Sequence, residues 1–152
     1  MDQVKKDSVE WDICNLMTMD YGIPSMKGKS HGQCAIEAAK AVMTQVGCGP
    51  EQIGICPMIG VNDEASVFGL SDAKIVADYV RQNNIGLISY WALQRDQPGS
   101  GNLGLYSGVN NGVGDFFKIF DTANGAPSTP VPPTGTSFSC PNCKKELMVT
   151  LK

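Results

Sequence analysis

Short apolar runs along the chain alternate with stretches of helical periodicity. Residues 11–19 are mostly apolar and predict a strand covered on both faces, ending at Asp20, Tyr21 and Gly22, with Pro24 barring its continuation. Ser30 and Gln33 have capping-box spacing, and Cys34, Ala35, Ala38, Ala39, Val42, Met43 and Val46 then recur at helical intervals. Gly47 and the Gly49–Pro50 pair stop that helix. A second apolar run, 53–59, precedes a polar loop at 61–64. Ser71 is the expected N-cap of the next helix, with Leu70 and Ile75 spaced as a hydrophobic staple and Ala73, Val76, Ala77 and Val80 on its apolar face. Asn83 and Asn84 end it. Residues 85–91 predict a third strand, and a Gly-rich loop at 98–114 leads to a short amphipathic helix at 115–120.

The predicted order is therefore β-α-β-α-β-loop-α, which argues an α/β fold with a parallel sheet and right-handed crossovers. Ile13, Ile53 and Ile85, near the strand starts, are 40 and 32 residues apart. Eight units of that size build a (β/α)8 TIM barrel of roughly 250 residues, so the chain is expected to hold a partial barrel. The composition changes after Asp121: residues 123–135 hold four prolines among Gly, Ser and Thr, the pattern of a semi-extended linker. The expected organisation is a barrel portion at 1–122, a Pro-rich linker at 123–137 and a short Cys-containing tail at 138–152.

In a barrel, ligands sit at the C-terminal ends of the strands. Those ends carry Met19, Asp20 and Tyr21, then Met58, Asn62 and Asp63, then Tyr90, Trp91, Gln94, Arg95 and Asp96. Carboxylates, amides, a phenol and an indole together suit a sugar, which presents both hydroxyls and flat C–H faces. Each residue also has an ordinary reading. Asp20 serves as a turn residue, Asp63 as loop polarity, Trp91 as core filler, and Arg95 with Asp96 as a surface pair of little energy. Their coincidence at all three strand ends favours the functional reading.

Other chemistries fit less well. A net charge of -3 and a pI near 5.0 give no electrostatic footprint for nucleic acid. The apolar runs are too short to span a bilayer. His31, the sole histidine, has no nucleophile at a recognisable motif. Gly99, Gly101 and Gly104 match a dinucleotide fingerprint in letters, but they follow Pro98 rather than a strand. The charged first residues lack the apolar stretch of a signal peptide. The address stays open between an intracellular chain and part of a longer secreted one. Of six cysteines, Cys14, Cys34, Cys48 and Cys56 lie in apolar patterns and read as small buried hydrophobes, a disulfide from Cys34 or Cys48 to Cys56 being the alternative. Cys140 and Cys143 have metal-knuckle spacing, half of a tetrahedral zinc site with nothing nearby to complete it. A truncated or partner-completed zinc ribbon, a local disulfide and an idle tail are the readings.

Three segments carry a resemblance to family 18 glycoside hydrolases, the chitinases and their relatives. Residues 15–22, with Met17, Met19, Asp20 and Tyr21, resemble the family's sixth barrel strand, usually Met-x-Tyr-Asp. Residues 53–63, with Pro57, Met58, Asn62 and Asp63, resemble the seventh in a mostly microbial subgroup. Residues 86–96, with Tyr90 and Trp91, resemble the eighth. The match runs from about residue 8 to 120 and keeps order and spacing. It implies the last three βα units of the barrel and action on β-1,4-linked N-acetylglucosamine polymers, with the substrate's acetamido oxygen as nucleophile. Chitin or a chitooligosaccharide is the implied partner, with no cofactor in the barrel. Asp20 would bond the acetamido group, and Tyr21 would supply the phenol, because Met19 occupies the usual Tyr position. Asp63 would bond hydroxyls or the acetamido group, and Trp91 would form the floor under the sugar, with Met58 and Asn62 beside them. Arg95 would brace the loop. The family's acid is a Glu ending an Asp-x-x-Asp-x-Asp-x-Glu segment, and these residues hold no such segment. The expectation is a chitinase-like fragment, inactive alone. Its alternatives are a chitooligosaccharide-binding remnant, or a partner-docking protein with a zinc-binding tail. The raw sheet edges call for the missing barrel half or a homo-oligomer.

Overall fold

A computed structural model describes residues 3 and 6–124, together with the backbone of 138–139 and 146–147. The elements are β1 (Cys14–Met17), α1 (Ile23–Met26), α2 (His31–Val46), β2 (Ile53–Cys56), β3 (Gly60–Val61), β4 (Val67–Phe68), α3 (Leu70–Asn83), β5 (Leu87–Ile88) and α4 (Asp115–Asp121). Two further strands, β6 (Phe138–Ser139) and β7 (Glu146–Leu147), pair antiparallel with each other. Cys140, Cys143 and the expected linker from 125 to 137 lie outside the described residues. Residues 122–124 continue α4 as a 3-10 turn, so the composition change at 123 is not the end of the folded part.

The main sheet has the order β1-β2-β5, with all strands parallel and α2 and α3 in the two connections. Cys14 stands opposite Ile53, Leu16 opposite Ile55, and Ile55 opposite Ile88. This row faces the helices. Ile53 and Ile55 are fully buried against Ala35 and Ala39 of α2, Ala73, Val76, Ala77 and Val80 of α3, and Phe116 and Phe120 of α4. Alanines on α2 and α3 let two close-packed helices approach the same strands.

The alternate residues face the other way. Asn15 and Met17 are exposed, Met17 by 81%. Asn15 Nδ2 donates to Ser89 Oγ at 3.0 Å across Gly54, where a Cβ would stand 2.5 Å from Asn15 Oδ1. The expectation of a first strand covered on both faces is thus corrected: among the described residues helices cover one face. Cys14 and Leu16 alternate with Asn15 and Met17, and a period of two separates the faces.

The Ser30–Gln33 capping box forms, and Gly47 and Asn84 close α2 and α3 in the left-handed conformation. Other expectations change. The runs at 11–19, 53–59 and 85–91 shorten to Cys14–Met17, Ile53–Cys56 and Leu87–Ile88, although a parallel bridge from Met58 to Trp91 extends the last pairing. The loop at 61–64 is the turn of an antiparallel ribbon, β3 with β4, which drives Phe68 into the core. Two-residue strands are too short for alternation to reveal them. Ser71 is not the N-cap of α3. Gly69 is, and its N–H donates to Asp72 Oδ2 at 3.0 Å. The staple fails with it, because Leu70 is already helical and Ile75 is exposed. Asp72 was drawn into this place by a second partner, the Gly32 N–H of α2, 2.9 Å from Oδ1. Cys14, Cys34, Cys48 and Cys56 are free thiols, half-buried, which removes the Cys34 or Cys48 to Cys56 disulfide.

Candidate carbohydrate site

Parallel strands deliver their last residues to one edge of the sheet, and there the sequence changes from apolar to polar. After β1 the chain turns at Asp20, whose φ of 51° is left-handed, a conformation that Asp tolerates better than most residues. Its N–H donates to Asn62 Oδ1 at 3.2 Å, and its Oδ1 accepts the Asp63 N–H at 3.0 Å. Asn62 is buried, and its Nδ2 donates to the carbonyls of Met58 and Gly60. Asn62 therefore works as a bracket that ties the end of β1 to the end of β2.

Trp91 joins the same edge. It bridges Met58, with its N–H on Pro57 O at 2.9 Å and its carbonyl accepting the Ile59 N–H at 3.0 Å. Its side chain remains 42% exposed. The Trp91–Ala92 peptide is cis. Arg95 lies behind the indole, 4.8 Å from the ring centroid, and is fully buried. Its Nη2 donates to Ile59 O at 2.9 Å and Val61 O at 2.7 Å. Burial lowers the guanidinium pKa, and the charges of Asp63 and Asp20 oppose that shift. The surface pairing of Arg95 with Asp96 is corrected: Arg95 braces the Trp91 loop. Asp96 is buried and caps α4, accepting the N–H groups of Phe116 at 3.1 Å and Phe117 at 2.8 Å.

The structure thus brings Asp20, Asn62 and Asp63 into one hydrogen-bonded set and joins Met58 to Trp91 in one ladder. Tyr21 stands apart from the set. Its hydroxyl is buried without a partner among the described residues, its ring lies 5.8 Å from that of His31, and burial raises its pKa. Glu64 ends the polar loop at 61–64. In the fold its Oε1 accepts the Gly22 N–H at 3.3 Å and the Ser66 hydroxyl. Burial pushes the Glu64 pKa up, but the hydrogen bonds from Ser66, Asp20 and the backbone prevail and hold it at about 2. Burial and the Glu64 contact raise Asp20, against the Asp63 N–H, which lowers it.

Two clefts, of about 360 and 330 Å³, are lined by Tyr90, Leu93 and Phe120 and by Met26, His31 and Ser66. Among the described residues no group of three or more His, Cys, Asp or Glu side chains can hold a metal. No helix of the described residues is long and apolar enough to cross a membrane.

Comparison with known proteins agrees on one kind of relative. The chain is 35% identical over 119 residues to a probable bifunctional chitinase/lysozyme of Escherichia coli strain K12, covering 68% of this chain and 13% of that one. It is 34% identical over 114 residues to endochitinase 11 of Metarhizium anisopliae, covering 64% and 22%. The chain thus spans under a quarter of the length of either curated relative. Among solved structures, the catalytic domain of a hyperthermophilic chitinase from Pyrococcus furiosus superposes with a TM-score of 0.69 at 32% identity, over 78% of this chain and 42% of that one. Catalytic-site mutants of active domain 2 of the thermostable chitinase from that organism, complexed with chito-oligosaccharides, match with the same values. No family model matches.

Proposed function

From the kinship of this chain with the catalytic domains of family 18, chitinase-like glycoside hydrolases, we propose that its three parallel strands are the last three βα units of a (β/α)8 barrel and that their rim binds N-acetylglucosamine units of a chitooligosaccharide. Trp91 is the floor under one sugar ring, held flat by Arg95. Asp20 bonds the acetamido group, and Asp63 bonds the same group or a hydroxyl. Met58 and Asn62 shape the wall beside them. Tyr21 contributes only if its buried hydroxyl turns outward.

The observation supporting this reading is the bond of the Asp63 N–H to the Asp20 carboxylate, at the edge of the sheet where Trp91 is exposed over Arg95. These 152 residues contain no Asp-x-x-Asp-x-Asp-x-Glu segment. Positioned proton transfer alone contributes ~10²–10⁴-fold to a rate, so this chain by itself binds and does not cut. The exposed face with Asn15 and Met17 supports a companion role, in which polypeptide supplying the other barrel strands covers it. Cys140 and Cys143 supply half of a zinc knuckle in that reading and need two further ligands.

Calorimetric titration of the full chain with chitotetraose, against cellotetraose as control, tests the sugar reading. Selective binding of the N-acetylated ligand, weakened ~10-fold or more by Trp91→Ala, is expected from the loss of an aromatic platform. Equal affinity for both sugars, or a Trp91→Ala chain that binds as the wild type does, defeats it.

A further inference from the structure

The sugar reading uses no residue of the Gly-rich loop at 98–114. Near its end Asn111 precedes Gly112. An Asn–Gly pair is chemically reactive, because a glycine without a Cβ leaves its backbone nitrogen free to approach the asparagine Cγ. A new N–Cγ bond closes a cyclic imide, the Cγ–Nδ2 bond breaks, and ammonia leaves with the proton of the attacking N–H. Water then opens the imide to aspartate or isoaspartate. The position favours glycine, since a Cβ at 112 would stand 2.9 Å from Asp115 Oδ2.

The fold ties down both reacting groups. Asn111 is buried. Its Oδ1 accepts the Ser107 hydroxyl, and its Nδ2 donates to Gly112 O at 2.9 Å and to Asp96 Oδ1 at 3.3 Å. The Gly112 N–H donates to Asp115 Oδ2 at 2.6 Å. Attack requires the side chain and the nitrogen to leave these partners and turn to each other.

The same amide begins two routes to the rim. Ser107, whose hydroxyl it accepts, receives the Val61 N–H on its carbonyl at 2.7 Å. Val61 O in turn accepts Arg95 Nη2 at 2.7 Å, and Arg95 lies against the Trp91 ring. On the other side is Asp96, next to Arg95 in the chain. It accepts the Asn111 amide while capping α4 through the N–H groups of Phe116 and Phe117. A carboxylate at 111 has no hydrogen to give Asp96, and it sets like charges in contact inside the protein.

We propose that Asn111 is a latent deamidation site, shielded by the closed loop, whose conversion to a carboxylate loosens the Arg95–Trp91 edge. The shielding and the effect on Trp91 stand on the hydrogen bonds alone. A loss of sugar affinity on deamidation rests, in addition, on the sugar reading.

Peptide mapping by mass spectrometry of the full chain, aged at neutral pH in buffer and in urea, tests the shielding. In urea Asn111 should react as Asn124 does, which also precedes a glycine. In buffer it should react at least ~10-fold more slowly, because several hydrogen bonds must open first. Ser107→Ala removes one partner and should return part of that rate. Equal Asn111 rates in buffer and urea, or a Ser107→Ala chain as slow as wild type, overturn the shielding. The coupling is read from Asn111→Asp in a Trp11→Phe background, where Trp91 is the single tryptophan. Its emission should shift. Asn102→Asp adds the same charge at an exposed position of the same loop and should leave the emission unchanged. An unmoved emission in Asn111→Asp, an equal shift in Asn102→Asp, or an Asn111→Asp chain that does not fold overturns the coupling. Wild-type chain deamidated by ageing, separated by its added charge, should show the same shift as Asn111→Asp. If Trp91 responds and chitotetraose binds neither form, the sugar reading falls and the shielded site stands.

Discussion

Arg95→Met is the substitution with the largest consequence for the rim. The side chain is fully buried, and its Nη2 holds the carbonyls of Ile59 and Val61 at 2.9 and 2.7 Å. Hydrogen bonds to a charged group contribute about 1.5–3 kcal/mol each, and the cation–π contact with Trp91 adds roughly 0.5–2 kcal/mol. Methionine fills most of the volume and removes the cost of burying a guanidinium, which offsets part of that loss. The two carbonyls remain without their donor, so the net destabilisation is about 2–4 kcal/mol. With a urea m value of about 2 kcal/mol per M, in the middle of the usual range for small domains, the unfolding midpoint should fall by roughly 1–2 M. Trp91 emission should also change, because its brace is gone. A midpoint within about 0.3 M of wild type, with m unchanged, would refute the claim that Arg95 supports this edge.

Gly60→Ala should be comparably damaging. Gly60 has a φ of +79°, and a Cβ there would stand 2.0 Å from Ser107 O, the acceptor of the Val61 N–H. Left-handed strain of about 1 kcal/mol and a broken buried hydrogen bond of about 1–3 kcal/mol predict a loss near 2–4 kcal/mol; a melting temperature equal to wild type contradicts it. Stability should also fall on acidification below the ordinary histidine value of 6.5, because unfolded His31 takes up a proton there while the buried ring, with its lowered pKa, does not. His31→Asn should remove that slope in denaturation measured at several pH values. Glu64 adds a second loss, from its ordinary value of 4.5 down to about 2, because ionised Glu64 favours the fold above that window. A flat stability profile from pH 7 to 3 rules out both.

The sequence alone determined the local vocabulary. Helical spacing from Cys34 to Val46, the Ser30–Gln33 box and the stops at Gly47 and Asn84 are encoded by neighbours within a turn, and they survive in the fold. The β-α-β-α-β order and the polar strand ends were legible for the same reason. The kinship with chitinases was legible too, because Met17, Asp20, Pro57, Asp63 and Trp91 keep their order and spacing. Only the tertiary structure decided what depends on distant partners. Asp72, rather than Ser71, organises the start of α3, because it also holds Gly32, 40 residues away. Arg95, expected as a brace, acquires its partners only in the fold, the carbonyls of Ile59 and Val61 and the Trp91 indole. Glu64, in the polar loop, accepts the Gly22 N–H from 42 residues away and the Ser66 hydroxyl, which in turn contacts His31. Local pattern carries no record of which carboxylate will meet which donor across a sheet edge; those pairings are settled only when the segments pack.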